Sequence, residues 1–325
     1  RGRLRTQRRR CARTSGAAFA GVIGRGLPAA MAGVPPWAVA ALLGALLCGT
    51  TYLYFFSVPA VLKAKSIGKG VWGTPNAEFN WCELDYQLTE YVAEPANTAT
   101  GFLYIVFAWG AWRYHAARFD LEPRLHALLL AVAAVGVGTV LFHATLRYSM
   151  QLLDELPIYY LILIGAWALH ERGPCAAGPR LAWLLAAWAG TVSVLLLATP
   201  QQAKLHQAFR GIMACSFSLC FVYIFWAAAK ASEERRSKGD PEMQDLFSQS
   251  FLWFVLSIVC WVVDNMACDV LQQLRWYPNF HAWGWHCGTV AGMHYMFLAL
   301  LVQRQQLVGR RCAVSRLAPW LPVPV

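Results

Sequence analysis

Charge is what this sequence lacks. Only 14% of its 325 residues are Asp, Glu, Lys or Arg, against about 25% in ordinary soluble domains. With 58% hydrophobic residues and 15 tryptophans, the chain has too little polar surface to cover itself in water. The shortfall excludes a soluble globular domain. The cysteines lack a pattern as well. There are ten, and no two form a CxxC pair, so the spacing of a zinc ribbon or a dithiol redox motif is missing. Cys48, Cys215, Cys220 and Cys260 fall inside apolar runs and read as inert packing residues.

What the chain has instead is a series of apolar runs that reach the ~20 residues needed to cross a bilayer as helix. They predict an all-α polytopic membrane protein: a seven-helix transmembrane bundle with one additional N-terminal transmembrane segment. Residues 1–36, with the run Arg8-Arg9-Arg10, form a basic leader to which no fold is assigned. The extra span covers 37–62. A polar segment, 63–94, follows and is loop by composition, with Gly68, Gly70, Gly73 and Pro75. The bundle occupies 95–303, with spans expected at 95–114, 125–143, 153–171, 180–198, 207–230, 248–266 and 281–303. Residues 304–325 form a tail.

The net charge of +11 does not point to nucleic acid. Eight of the 28 Lys and Arg residues precede Met31, and the rest lie mainly in short connections. The connections at 113–124, 172–180 and 230–238, with the tail, hold 13 of them, against seven on the alternate side. By the positive-inside rule the first set is cytosolic. The C-terminus then faces the cytosol. The segment 78–94, the turn after His143 and the start of the last span face the lumen or exterior.

The stretch Phe142-His143-Ala144-Thr145-Leu146-Arg147-Tyr148 leading into Gln151-Leu152-Leu153-Asp154-Glu155-Leu156-Pro157 is unusual for its place. Charge at a membrane edge is costly unless paired, hydrated or bound to metal. For Arg147 and Glu155 the plain expectation is an ion pair, mutual or with a neighbour. Of the eight histidines, His115, His126 and His170 fall at cytosolic ends, where interfacial packing explains them, and His206 precedes a span on the other side. His143, His281 and His286 all fall at the luminal ends of spans, so one small volume can hold all three. Three imidazoles with an open position form a catalytic zinc site; a lone histidine here is more often a hydrogen-bonded packing residue, and three on one membrane face beside Asp154 bring the two readings level. His281 and His286 stand five apart, about 140° around a regular helix. They share a target only if the backbone departs from regularity near Gly284, by a π-bulge or a frayed first turn.

Three separated motifs then agree. Trp81-Cys82-Glu83 with Glu94, Phe142-His143 through Gln151-Leu152-Leu153-Asp154-Glu155-Leu156-Pro157, and Phe280-His281-Ala282-Trp283-Gly284-Trp285-His286 resemble the alkaline ceramidases, seven-span zinc amidases of endoplasmic reticulum or Golgi membranes. The resemblance runs from about Gly73 to Gln303. It implies zinc on His143, His281 and His286, and Asp154 as general base. It also implies a hydroxyl beside the metal from Thr139, where the family usually has Ser, able to steady an oxyanion. The family's last pair is normally His-x-x-x-His, so Gly284 looks like an insertion. The acidic segment resembles the family's calcium site, with ligands Asn80, the Trp81 carbonyl, Glu83, Asp85 and Glu94; Asn and Asp are exchanged relative to the usual pattern. Cys82 and Cys268 face an oxidising compartment in this topology, and the resemblance supports a disulfide between them. The implied substrate is ceramide or phytoceramide in the bilayer. A non-catalytic receptor or scaffold with a structural metal is the alternative, favoured by Thr139 and Gly284. A transporter is weaker, because the mid-span positions are mostly apolar.

Overall fold

The computed structural model describes residues 70–119, 121–170, 180–237, 241–274, 278–309, 312, 314–318 and 321–324. The leader, the extra span 37–62 and the start of the 63–94 segment lie outside the described residues. Seven long helices follow in chain order: α1 (Pro95–Ala116), α2 (Pro123–Thr145), α3 (Tyr148–His170), α4 (Arg180–Ala198), α5 (Lys204–Arg236), α6 (Pro241–Met266) and α7 (Cys287–Leu307). A one-turn helix, Cys268–Leu271, follows α6, and a π-helical segment, Phe280–His286, runs directly into α7. A short antiparallel pair, Val314–Ala318 with Leu321–Pro324, closes the described tail.

Six of these helices are long and apolar enough to cross a membrane, the π segment and α7 counting together as one. The protein is a multi-pass membrane protein. The helix expected at 95–114 is present as α1 but falls short of that apolarity. Its first two turns carry Asn97, Thr98 and Thr100, all buried against the bundle. Asn97 and Thr100, two of the polar groups that lower its hydropathy, meet Glu94 and His286 at the site, while Arg113, Tyr114 and His115 lower it at the other end. Both α5 and α6 begin earlier than the apolar runs indicate, and α5 also ends later, because a helix continues into charged turns that water can solvate.

Prolines set several starts. Pro95 and Pro123 occupy the first helical turn of α1 and α2, where a missing N–H costs nothing. Pro157 is different: it lies inside α3 and deprives the Leu153 carbonyl of its helical donor. Gly138 of α2 packs against that same carbonyl, and a Cβ there would lie 2.0 Å from the Leu153 oxygen. The two helices therefore approach as closely as backbones can, at the level of Asp154. The connection between them is tight, with Leu146 buried in the left-handed region at φ 47°. That conformation costs a non-glycine residue about 1–2 kcal/mol. The Leu146 carbonyl accepts the N–H groups of Asn76 and Ala77, 3.1 Å each, which ties the turn to the segment before α1.

The main apolar core lies at the end away from this turn. It joins Leu125 of α2, Leu169 of α3, Ala227 of α5 and Leu298 to Leu301 of α7. Arg304 and Arg124 meet Glu122 there, at 2.7 and 2.9 Å. A separate cluster of Trp81, Ala93, Phe142 and Leu146 seals the other end.

Gly138→Ala forces α2 off α3 and should cost about 1–3 kcal/mol of stability as an overpacked position, read as a lowered unfolding temperature in detergent. Gly190→Ala, in α4 with nothing within 4 Å of the new methyl, should leave that temperature level or raise it slightly.

Candidate metal centre

His143, His281 and His286 are all buried, and one nitrogen from each lies within 4.8 Å of the other two. Their ring centroids are 4.7 to 5.2 Å apart. Among the described residues they are the one such group of His, Cys, Asp or Glu side chains. With all three buried, three like donors crowd together with little hydration to favour them apart. Such a cluster suits one cation.

The irregular backbone that this convergence requires is present. Phe280–His286 is π-helical, and the wider turn absorbs the residue that sets His281 and His286 five apart. Asn279 starts the segment in the left-handed region, φ 41°, and its side-chain oxygen accepts the Ala282 N–H at 3.0 Å. Gly284 has a steric reason to be glycine. A Cβ there would stand 2.4 Å from Cys260 Cβ of α6.

Each imidazole is oriented by a group outside its own helix. His143 Nδ1 meets the Glu94 carboxylate, and His286 Nδ1 meets Thr100 Oγ1 at 2.7 Å. Both rings are left with Nε2 for a ligand. His281 is held by its backbone, whose N–H donates to Asp264 Oδ1 at 3.2 Å, and by Trp81 stacked on its ring at 3.7 Å between centroids. Its Nδ1 is buried with no hydrogen-bond partner, the condition expected of a ring waiting for a metal. Asp264 Oδ2 accepts the Cys82 N–H at 3.2 Å, and Cys82 is joined to Cys268 by a disulfide.

Asp154 lies beside this cluster. Thr139 Oγ1 is 2.6 Å from Asp154 Oδ1 and 2.9 Å from the Val135 carbonyl, so its single proton serves one of those two acceptors at a time. Arg147 and Glu155 do not pair with each other. Arg147 donates to the Thr74 carbonyl at 2.8 Å, while Glu155 is gripped by Arg210 at 2.9 and 3.0 Å.

The acidic segment is looser than the histidine cluster. Glu83 caps α1, accepting the N–H groups of Ala96 and Asn97 at 2.7 and 2.9 Å, and also takes Asn279 Nδ2 at 3.1 Å. Glu94 accepts the Trp81 N–H at 3.1 Å. Asn80 Nδ2 donates to Asp85 Oδ2 at 2.9 Å, which leaves Asn80 Oδ1 and Asp85 Oδ1 buried and unpartnered. Burial, with Glu94 and Glu83 nearby, pushes the Asp85 carboxyl up to about 7. Burial raises Glu94 as well, with Glu83 adding to it. Crowded carboxylates with unpartnered oxygens fit a hard cation such as calcium, with Glu83 already committed to the helix end.

The ceramidase family model matches residues 73–324. The chain belongs to the ceramidase family. It is 32% identical to alkaline ceramidase 3 of Mus musculus over 248 residues, covering 73% of this chain and 87% of that protein. Over 282 residues it is 27% identical to alkaline ceramidase YPC1 of Saccharomyces cerevisiae, covering 78% and 85%. A putative alkaline ceramidase of Dictyostelium discoideum, dcd3A, is 26% identical over 276 residues, covering 74% and 92%. The ceramidase match spans every candidate ligand described above.

Sequence reading misses Thr100, Asp264, Arg210 and Gly138. Asp264 carries a signal, as a lone carboxylate near the end of the apolar run 248–266. Thr100 carries none, because its role depends on where α7 lies.

Thr100→Val removes the group that orients His286 and should weaken metal binding about 10- to 100-fold. Competition with a chelator, with metal content measured by mass spectrometry, reads the change; an unaltered affinity rejects that role.

Proposed function

We propose that this protein hydrolyses the amide bond of ceramide or phytoceramide to a sphingoid base and a fatty acid, with zinc on His143, His281 and His286. The observation that carries the reading is the shared cavity. Asp154, Thr139, His281 and His286 line a space of about 220 Å³. A second space of about 140 Å³, lined almost wholly by apolar side chains, adjoins it through Tyr104, Ile158, Phe217, Ile258 and Trp285. A mostly apolar chamber with Asp154, Thr139 and the two histidines on its wall, adjoining a second apolar space, suits an amide with a long tail.

Zinc at this site supplies a Lewis acid that polarises an amide carbonyl and acidifies water. Asp154 takes the proton from the attacking water and returns it to the leaving nitrogen. Thr139, whose proton is already directed at Asp154 or the Val135 carbonyl, orients the base rather than steadying an oxyanion. Asn80, the Trp81 carbonyl, Glu83, Asp85 and Glu94 would hold calcium, which would steady the segment before α1, where Trp81 stacks on His281 and Glu94 meets His143. The Cys82–Cys268 link supports placing this end in the lumen of the endoplasmic reticulum or Golgi, with the C-terminus cytosolic. The two features that suit a non-catalytic receptor are both accommodated: the π segment absorbs Gly284, and Thr139 keeps a hydroxyl against Asp154.

Membranes carrying the wild type should release fatty acid and sphingoid base from ceramide. Asp154→Asn should lose about 10²- to 10⁴-fold of that rate while retaining its zinc, and His143→Ala should lose both. Zinc bound to the wild type without any amide turnover would transfer the reading to the receptor.

A further inference from the structure

The second chamber has a mouth, a length and a floor. It runs between α2, α3, α5, α6 and α7, and no residue on its wall is exposed. Its mouth is formed by side chains it shares with the first chamber. Two of these stand at the metal centre. Trp285 precedes His286, and the Tyr104 ring meets His286 edge-on at 5.8 Å between centroids. At the far end lie Leu169 of α3 and Leu300 of α7, both buried in the main core. One turn beyond Leu300, Arg304 meets Glu122 at 2.7 Å, so charge backs the apolar floor.

The helices measure the depth. Leu169 stands 15 residues beyond Asp154, and Leu300 stands 14 beyond His286. At 1.5 Å per residue both put the floor about 21–22 Å from the reacting groups. An extended hydrocarbon advances about 1.3 Å per carbon, from bonds of ~1.5 Å, so the space takes a chain of roughly 16 or 17 carbons. Gly165, one turn short of Leu169, keeps this bore open. A Cβ there would lie 3.1 Å from Ile224 Cδ1, which is on the wall as well.

The chemistry of the wall decides which tail enters. Its two hydroxyls, on Tyr104 and Thr289, bond to each other at 2.7 Å, and Thr289 also donates to the Trp285 carbonyl at 2.7 Å. A sphingoid base carries oxygen on its first and third carbons. It suits the first chamber, where Asp154, Thr139 and Arg210 stand on the wall. An acyl tail is plain hydrocarbon from the carbon next to the carbonyl, and the carbonyl belongs at the histidines, beside the mouth.

Resting on the ceramide reading above, we propose that the second chamber is the acyl-length gauge of this enzyme, with Gly165 keeping its bore open and Leu169 and Leu300 setting its floor. Acyl chains up to the floor lie straight in the chamber. A longer chain must fold back on itself or lift its carbonyl from the histidines.

The test measures kcat/KM of full-length protein for ceramides that share one base and rise in acyl length past this limit. Beyond it the wild type should lose about tenfold or more for each added methylene. Gly165→Leu should lower the limit by about four or five carbons, the ~6 Å of one helical turn. Leu300→Ala should raise it by roughly two carbons, the reach of the side chain removed. Each limit is read from a profile within one preparation, so reduced folding scales the profile without moving it. Where Gly165→Leu does not fold at all, Leu300→Ala decides. A second series, with one acyl chain and bases of graded length, should show no shift in either variant. Ceramide turnover by the wild type with a limit that a folded variant leaves in place, or that follows the base, overturns the gauge alone. Absence of ceramide turnover in the wild type overturns the functional reading and the gauge with it.

Discussion

Everything at the functional end of this molecule depends on holding three buried imidazoles against one another. Burial penalises each ring nitrogen, and no histidine can satisfy the requirement from its own helix. The structure meets it by bringing a separate support to each ring: Glu94 to His143, Thr100 to His286, and Asp264 with Trp81 to His281. Those supports come from the start of α1, the end of α6 and the segment before α1. The bundle cannot loosen at any of these points without turning a ring, which is why so many polar groups gather at one end of an apolar chain.

Backbone proximity is the second requirement, and glycine meets it twice. Gly138 lets α2 reach the carbonyl that Pro157 leaves without a helical donor, and this close approach sets Thr139 opposite Asp154. Gly284 lets the π segment lie on Cys260 of α6. A side chain at either position would move a helix by more than the margin a metal–ligand distance allows. The five-residue spacing of His281 and His286 is thus accommodated by backbone geometry.

How much of this was legible follows from which features are local. Apolar runs made the helices readable, and the polar stretch from His143 to Asp154 marked the site, because charge between two spans needs a partner. Of the two pairings that stretch allows, mutual or with a neighbour, Glu155 takes the second, with Arg210, 55 residues away. The span at 95–114 is legible as an apolar run, while Asn97 and Thr100 in its first turns serve the site. Thr100 and Gly138 matter only through contacts between helices, and a one-dimensional pattern does not contain those. The five-residue spacing of His281 and His286 calls for an irregular backbone, a π-bulge or a frayed turn, and the π segment is the form it takes.

Asp154 and Glu155 show how neighbours divide labour between adjacent carboxylates. They share a helix turn, a depth and a cavity wall, so position alone does not tell them apart. Glu155 has a guanidinium on both oxygens and an amide donor besides. A carboxylate so engaged is committed to its partners and is a poor carrier of protons. Thr139 engages only Oδ1 of Asp154, and a neutral hydroxyl yields far more readily than a paired cation. In the reaction we propose, the proton carrier must release and recapture its proton within one turnover. Of the two, only Asp154 can do so without breaking a buried ion pair, a change that costs about 3–5 kcal/mol.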